Sequence, residues 1–327
     1  MFQRAITLGA LMLLTHGWAI AADKSSPTAE TDGVKLTQLE DRVKVEINGQ
    51  LFTEYHFKDV SRPYLYPVIG PGESRMTRNW PMQDVENEEH DHPHHRSLWY
   101  AHGSVNGQDF WSESPKAGKT VHEKFLEVSS GKTSGVIHSQ NKWVAKDGAV
   151  VATDDRTIRF SGTAKVPIID YDVTIHASNG ELKMEDTKEG TMAIRLTESM
   201  RLMHNKFNRG KPTGHIVNSE GVRDGETWGK RAAWCDYYGP VNDKIVGVAM
   251  FDHPKNPQYP TWWHVRDYGL FAANPYGVHD FERKPPGAGE YVIPAGKSVT
   301  YRYRLVFHEG DAEQAGIAGL FKKYAAE

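Results

Sequence analysis

Arg42-Val43-Lys44-Val45-Glu46-Ile47 alternates charged and β-branched apolar residues over six positions. At a period of two, Val43, Val45 and Ile47 share one face of an extended strand, and Arg42, Lys44 and Glu46 share the other. That is the pattern of an antiparallel sheet covered on one side. The same texture returns in short runs at 64–69, 121–128, 157–160, 171–175, 181–185, 192–196, 244–251 and 299–307, each closed off by Gly, Pro, Asn or Asp. Only the end of the chain reads clearly as a helix. Asp311 can cap it with Gln314 three positions on, and Ile317, Leu320, Phe321 and Tyr324 then fall on one face. Many short antiparallel strands with one terminal helix predict an all-β fold: a large antiparallel β-sandwich with a C-terminal helix. No linker or repeat divides the body, so residues 34–327 are read as a single domain.

Ahead of that body, Met1-Phe2-Gln3-Arg4 is a positive start, residues 5–14 are apolar, and Ala19-Ile20-Ala21 fits a small-x-small cleavage site. Residues 1–21 are therefore expected to be a signal peptide and residues 22–33, which lack a large apolar anchor, a flexible leader. No later segment offers the roughly 20 apolar residues of a membrane-spanning helix. The mature chain is expected to be periplasmic or secreted, with no membrane span after cleavage.

The 327 residues carry 39 Lys plus Arg against 42 Asp plus Glu, a net charge of −3, with no basic block. This argues against a nucleic-acid partner. The lone Cys235 cannot form an internal disulfide and reads as a buried hydrophobe. The excess lies in 16 His, 14 Tyr and 9 Trp.

Five of those histidines, His90, His92, His94, His95 and His102, fall within thirteen positions, beside Asp91, Arg96, Trp99, Asn106, Asp109 and Trp111. Pro93 favours an extended backbone at His92 and hence a loop that presents side chains. A second stretch repeats the grammar: Trp262, Trp263, His264, Arg266, Asn274 and His279. As a strand it would turn Trp262, His264 and Arg266 to one side. A third places Arg231 between Trp228 and Trp234. Imidazole and guanidinium beside flat aromatic walls suit a carbohydrate or polyol ligand, with acid–base chemistry by His94, His95 and His264 and charge stabilisation by Arg96 and Arg266. His92, Trp99, His102, Asn106, Asp109, Trp111, Trp262, Arg231, Asn274 and His279 are the substrate-binding candidates. Two imidazoles titrating near neutrality would give a bell-shaped rate profile.

Other readings use the same residues. A divalent metal, in an oxygenase or hydrolase, could take His92, His94 and His102 with Asp91 or Asp109, although no zinc signature or HEXXH is present. The aromatics could bind sugar without chemistry, or the cluster could be a structural polar network. Glu198 and Glu220 keep two-carboxylate hydrolysis open.

Asp91-His92-Pro93-His94-His95-Arg96, Tyr66-Pro67-Val68 with Gly70-Pro71-Gly72, Ala101-His102-Gly103 with Asn106-Gly107 and Asp109-Phe110-Trp111, and Val265-Arg266-Asp267-Tyr268-Gly269-Leu270-Phe271-Ala272-Ala273-Asn274-Pro275 together resemble a bacterial family catalogued as "methane oxygenase PmoA" and also as a domain of unknown function. The resemblance runs from about residue 34 to the C-terminus. An oxygenase subunit of that name needs several membrane spans, which this chain lacks. The resemblance therefore implies a galactose-mutarotase-like supersandwich with a role in sugar breakdown, of epimerase, lyase or hydrolase type.

Overall fold

Sixteen of the strands form two eight-stranded antiparallel sheets in the computed structural model, which describes residues 1–2, 33–211 and 213–327. The expected signal peptide, and all but the last residue of the expected leader, lie outside the described residues apart from Met1 and Phe2. Everything below belongs to residues 33–211 and 213–327, which fall in one compact unit.

The first sheet runs, edge to edge, through Val34–Gln38, Arg42–Ile47, Gln50–His56, Tyr64–Val68, Leu98–His102, Gly190–Arg195, Leu270–Asn274 and Trp262–Val265. The second runs through His215–Asn218, Trp234–Val241, Lys244–Asp252, Ser298–Glu309, Val166–His176, Val150–Thr163, Ser134–Val144 and Lys119–Ser129. A small third sheet pairs Leu182–Met184 with Tyr291–Ile293. The all-β antiparallel sandwich expected from the alternation is the observed architecture.

The strand at Arg42–Ile47 does what its spelling requires. Val43, Val45 and Ile47 are buried, and the charged residues between them are half-buried. These three join a core that spans both sheets, with Phe52 of the first sheet meeting Phe160 and Phe307 of the second edge-on at 6.2 and 5.7 Å. Burial of such side chains contributes about 1.5–3 kcal/mol each, which makes this core the main source of stability.

The C-terminal helix is shorter than its spacing suggests. Asp311 and Gln314 do form the reciprocal cap, with Asp311 Oδ1 accepting from the Gln314 amide at 2.9 Å and Gln314 Oε1 from the Asp311 amide at 3.0 Å. It closes a turn, however, and the helix itself is Ile317–Tyr324, beginning after Gly316 at φ 66°. Ile317 and Tyr324 pack on Ala249, Phe251 and Val306 of the second sheet. A five-residue helix at Val278–Glu282 was not expected from the sequence.

In the middle of the first sheet both faces are covered. Tyr100, Met192, Ala273 and Trp263 form a cross-strand row facing the core, and Trp99, Ala193, Ala272 and His264 form the next row on the outer face. Two alanines at the centre of the outer row leave room above the sheet, and the loops carrying the histidines fill it.

Candidate active site

Two loop segments close over the outer row. In the segment 90–97, the His95 amide donates to the His92 carbonyl at 3.0 Å, and His92 itself has φ 42°. The Asp109 carboxylate caps the second segment by accepting from the Trp111 and Ser112 amides at 2.7 and 2.9 Å and from the Ser112 hydroxyl. Arg62, 1% exposed, ties the two together by donating to the carbonyls of His94, Trp111 and Ser112. A loop at 187–189 completes the rim. It approaches so closely that a Cβ at position 103 would lie 2.7 Å from the Glu189 Cβ, so glycine is required there by contact rather than by turn geometry.

The result is a cavity of about 520 Å³ in which the two motif stretches meet. His92, His94 and His95 face it from one loop, and His264, Arg266 and Tyr268 from residues about 170 positions later. Trp111 and Tyr268 supply apolar walls, while Lys188 and Glu189 form an ion pair at 2.5 Å at the rim. The second stretch projects as expected: Trp263 and Val265 enter the core, and Trp262, His264 and Arg266 take the other side.

The imidazoles are held in two different ways. His92 Nδ1 donates to Asp91 Oδ2 at 2.6 Å, which leaves Nε2 of the neutral ring as an acceptor. His95 is the reverse case. Its Nδ1 accepts from Arg195 Nη1 at 3.1 Å, and a guanidinium can only donate, so neutral His95 carries its proton on Nε2. Trp228 Nε1 imposes the same form on His264 at 3.0 Å. The rings of His95, His92 and Tyr268 stack in succession, His92 lying 4.7 Å from the first and 5.1 Å from the second, both within 8° of parallel.

Burial, reinforced by positive charge around the cavity, favours the neutral form of His94, His95 and His264. Burial, then the positive charge of Arg62 and the neighbouring His92, lowers His94 to about 4. Burial with Arg195 and His94 puts His95 well below the ordinary imidazole value. Burial with Arg266 and Lys188 lowers His264 to about 3. The expectation that two of these imidazoles titrate near neutrality is therefore corrected, because water is excluded and cations surround them. Asp91 is lowered too, which for a carboxylate favours the charged form. Burial favours its neutral form, but the hydrogen bond from His92 and the guanidiniums of Arg195 and Arg78 outweigh it and hold the carboxylate ionised.

Several sequence candidates lie elsewhere. Arg96 is turned into a bidentate pair with Glu113 at 2.6 and 2.7 Å and away from the cavity. Trp99 lies beneath His95, its ring stacked at 5.4 Å, as floor rather than wall. His102 projects to the opposite face of its strand from Trp99 and Ala101, into the core, with Nε2 2.7 Å from the Glu185 carbonyl. Asn106 is exposed and braces a turn through Glu181 and Lys183. Trp262 donates to Glu282 at 2.8 Å under the Arg231 guanidinium, which itself donates to the carbonyls of Pro260, Gln258 and Tyr259. Asn274 is buried on Thr187, and His279 is held by Asp186 and the Lys284 carbonyl. Glu198 pairs with Arg201 and Glu220 contacts Ser219, and neither lines the cavity.

With His102 on the far side of the sheet, the expected metal trio does not converge. Among the described residues no three His, Cys, Asp or Glu side chains are grouped to hold an ion. No helix among them is long and apolar enough to cross a membrane. The sequence reading missed Lys188, Glu189, Tyr268 and Arg195. Tyr268 stood inside the quoted motif and could have been found by its spacing from Arg266, whereas the others carry no local signal.

A family model matches residues 42–322, nearly the whole folded chain, and its description is a family of unknown function, DUF6807. The chain belongs to the DUF6807 family. That match supports the unknown-function half of the resemblance and gives no support to the PmoA name. No curated protein matches this DUF6807 chain. Among solved structures it is similar to the alpha-galactosidase from Lactobacillus brevis, at 8% identity and TM-score 0.40, over 86% of this chain but only 40% of that one. It is also similar to a galactose mutarotase related enzyme from Lactobacillus acidophilus, at 9% identity and TM-score 0.28, covering 84% and 97% of the two chains. A galactose mutarotase-like protein from Lactobacillus casei matches at 9% identity and TM-score 0.32, covering 84% and 100%.

Proposed function

We propose that this DUF6807 protein is an exported carbohydrate-active enzyme that binds a sugar in the cavity between the two motif stretches and acts on it by imidazole acid–base chemistry. The observation that carries this reading is the pair of opposite histidine states in one cavity. His92, oriented by Asp91, offers a lone pair at Nε2 and takes the role of base. His95 and His264, held by Arg195 and Trp228, offer N–H groups that donate hydrogen bonds to sugar oxygens and polarise them. Trp111 and Tyr268 supply the faces against which a pyranose packs.

Proton transfer of this kind serves epimerisation, mutarotation and β-elimination. Two-carboxylate hydrolysis has less support. The carboxylates lining the cavity are Asp109, spent on capping Trp111 and Ser112, and Glu189, paired with Lys188.

The test is proton NMR in D2O of the purified chain with a panel of aldoses and mixed oligosaccharides. Anomeric exchange, deuterium uptake at carbon, a vinyl resonance or a new reducing end would identify the reaction class directly. Ligand-induced thermal stabilisation without product would turn the reading to a sugar-binding protein. Activity abolished by a chelator and restored by one divalent ion would turn it to a metal enzyme.

A further inference from the structure

Arg266 differs from the other arginines around the site. Arg62 is spent on three backbone carbonyls, Arg96 on Glu113, and Arg78 and Arg195 on Asp91. Arg266 is half-buried and lines the cavity, and its guanidinium lies 5.9 Å from the Trp228 ring and 5.5 Å from that of Tyr268. Among the described residues it has no carboxylate or carbonyl acceptor. Two aromatic faces therefore hold a planar five-donor fork with its hydrogen-bonding capacity unused.

The cavity offers no internal anion to satisfy it. Asp109 is committed to the Trp111 and Ser112 amides and the Ser112 hydroxyl, and Glu189 to Lys188. The low values of His264 and His95 report the same excess of positive charge, since Arg266 and Arg195 are, after burial, their largest causes. A neutral sugar would leave the guanidinium partly desolvated and unpaired, which costs free energy on binding. An oxyanion would convert that cost into a pair of charge-assisted hydrogen bonds.

We propose that the substrate is an acidic sugar, a hexuronate whose carboxylate is taken by Arg266. This rests on the carbohydrate reading of the cavity and narrows it to sugars carrying an oxyanion. A carboxylate and a sulfate ester share the chemistry that Arg266 recognises. The carboxylate is preferred because it acidifies the neighbouring C–H, and the same cavity holds a base in His92.

The experiment is titration calorimetry at neutral pH with matched pairs: glucose and glucuronate, galactose and galacturonate, mannose and mannuronate, their short oligomers, and galactose 6-sulfate. Each is run against wild type, Arg266→Gln, Arg266→Lys and, as a control outside the cavity, Arg96→Gln. At least one acid should bind about tenfold or more tightly than its neutral counterpart. Arg266→Gln should erase that difference, Arg266→Lys should restore it in part, and Arg96→Gln should keep it. Equal binding of acid and neutral partners by wild type overturns the acidic-sugar assignment and leaves the carbohydrate reading standing. Binding of no sugar at all overturns both. Preference for the sulfate over every uronate overturns the carboxylate.

Discussion

The indole Nε1 of Trp228 donates to Nδ1 of His264 across 3.0 Å. Because an indole can only donate, this bond fixes His264 as the neutral form with its proton on Nε2. The same logic applies to Arg195 and His95, so a loop and a separate strand present the cavity with imidazole N–H groups prepared before any ligand arrives.

Trp228→Phe keeps an aromatic, though smaller, side chain and removes the donor. It leaves Nδ1 of His264, a residue only 2% exposed, without a partner, at a cost of about 1–3 kcal/mol. The expected result is a melting temperature lower by several degrees, together with loss of the single-tautomer pattern in 15N spectra of labelled histidine. An unchanged His264 resonance would show that the indole does not set the tautomer.

Stability should fall as the solution is acidified from pH 7. His264 is lowered to about 3 by burial and Arg266, and His94 to about 4, while the unfolded chain titrates near 6.5. Between those values the unfolded state binds more protons, so stability rises with pH across this window and is lost as pH falls through it. At pH 5 the His264 contribution amounts to about 2 kcal/mol. His308 opposes the trend. Burial lowers it, but the buried Asp236 carboxylate raises it overall, so its contribution is present at low pH and fades as pH rises through its folded value. Denaturant midpoints for wild type and His264→Gln from pH 5 to 8 check this. The variant should show the shallower acid decline.

Asp91→Asn should damage the fold more than loss of His92 does. Asp91 is the anion for Arg78 and Arg195, both without solvent exposure, and replacing it removes the counter-charge of two buried guanidiniums, which keep only neutral acceptors on backbone carbonyls and His95, as well as freeing His92. Breaking buried pairs in this way costs about 3–5 kcal/mol. His92→Gln removes only a half-exposed ring. Chemical denaturation of the two variants should differ by several kcal/mol, and equal stabilities would mean that the arginines find other partners.

The sequence was readable where one face of a strand meets water. Arg42–Ile47 and Val166–His176 alternate because their outer faces are solvated; the first forms with the expected bounds, and the second extends the expected run 171–175 in both directions. Leu98–His102 and Leu270–Asn274 are buried at every position, since loops cover the outer face of the sheet there, and alternation disappears with the solvent. Among the site candidates, the convergence of the His92–His95 loop with His264 and Arg266 was legible from residue type. Arg96 was not, because its partner Glu113 lies seventeen positions away and only the fold brings them together. Arg195 gave no signal either. It is a single charge in an ordinary strand, and its value comes from a loop contact with His95 across 100 residues.

His92 and His102 make the sharpest comparison, since the sequence places them in one cluster and the structure separates them. His92 lines the cavity with Nδ1 committed to Asp91. His102 follows Ala101 in a strand whose odd positions face the cavity side, so its own side chain enters the core against Tyr276, with Nε2 2.7 Å from the Glu185 carbonyl. Burial lowers it to about 4, and it stays neutral at physiological pH. Removing a general base typically costs 10²–10⁴-fold in rate, so His92→Ala should lower kcat by about that factor with little change in sugar affinity. His102→Gln should lower the melting temperature and leave kcat and KM for the folded fraction near wild type. Steady-state kinetics beside thermal melts of both variants separate the two cases. A His102→Gln protein that folds normally and loses turnover would place the chemistry on the other side of the sheet.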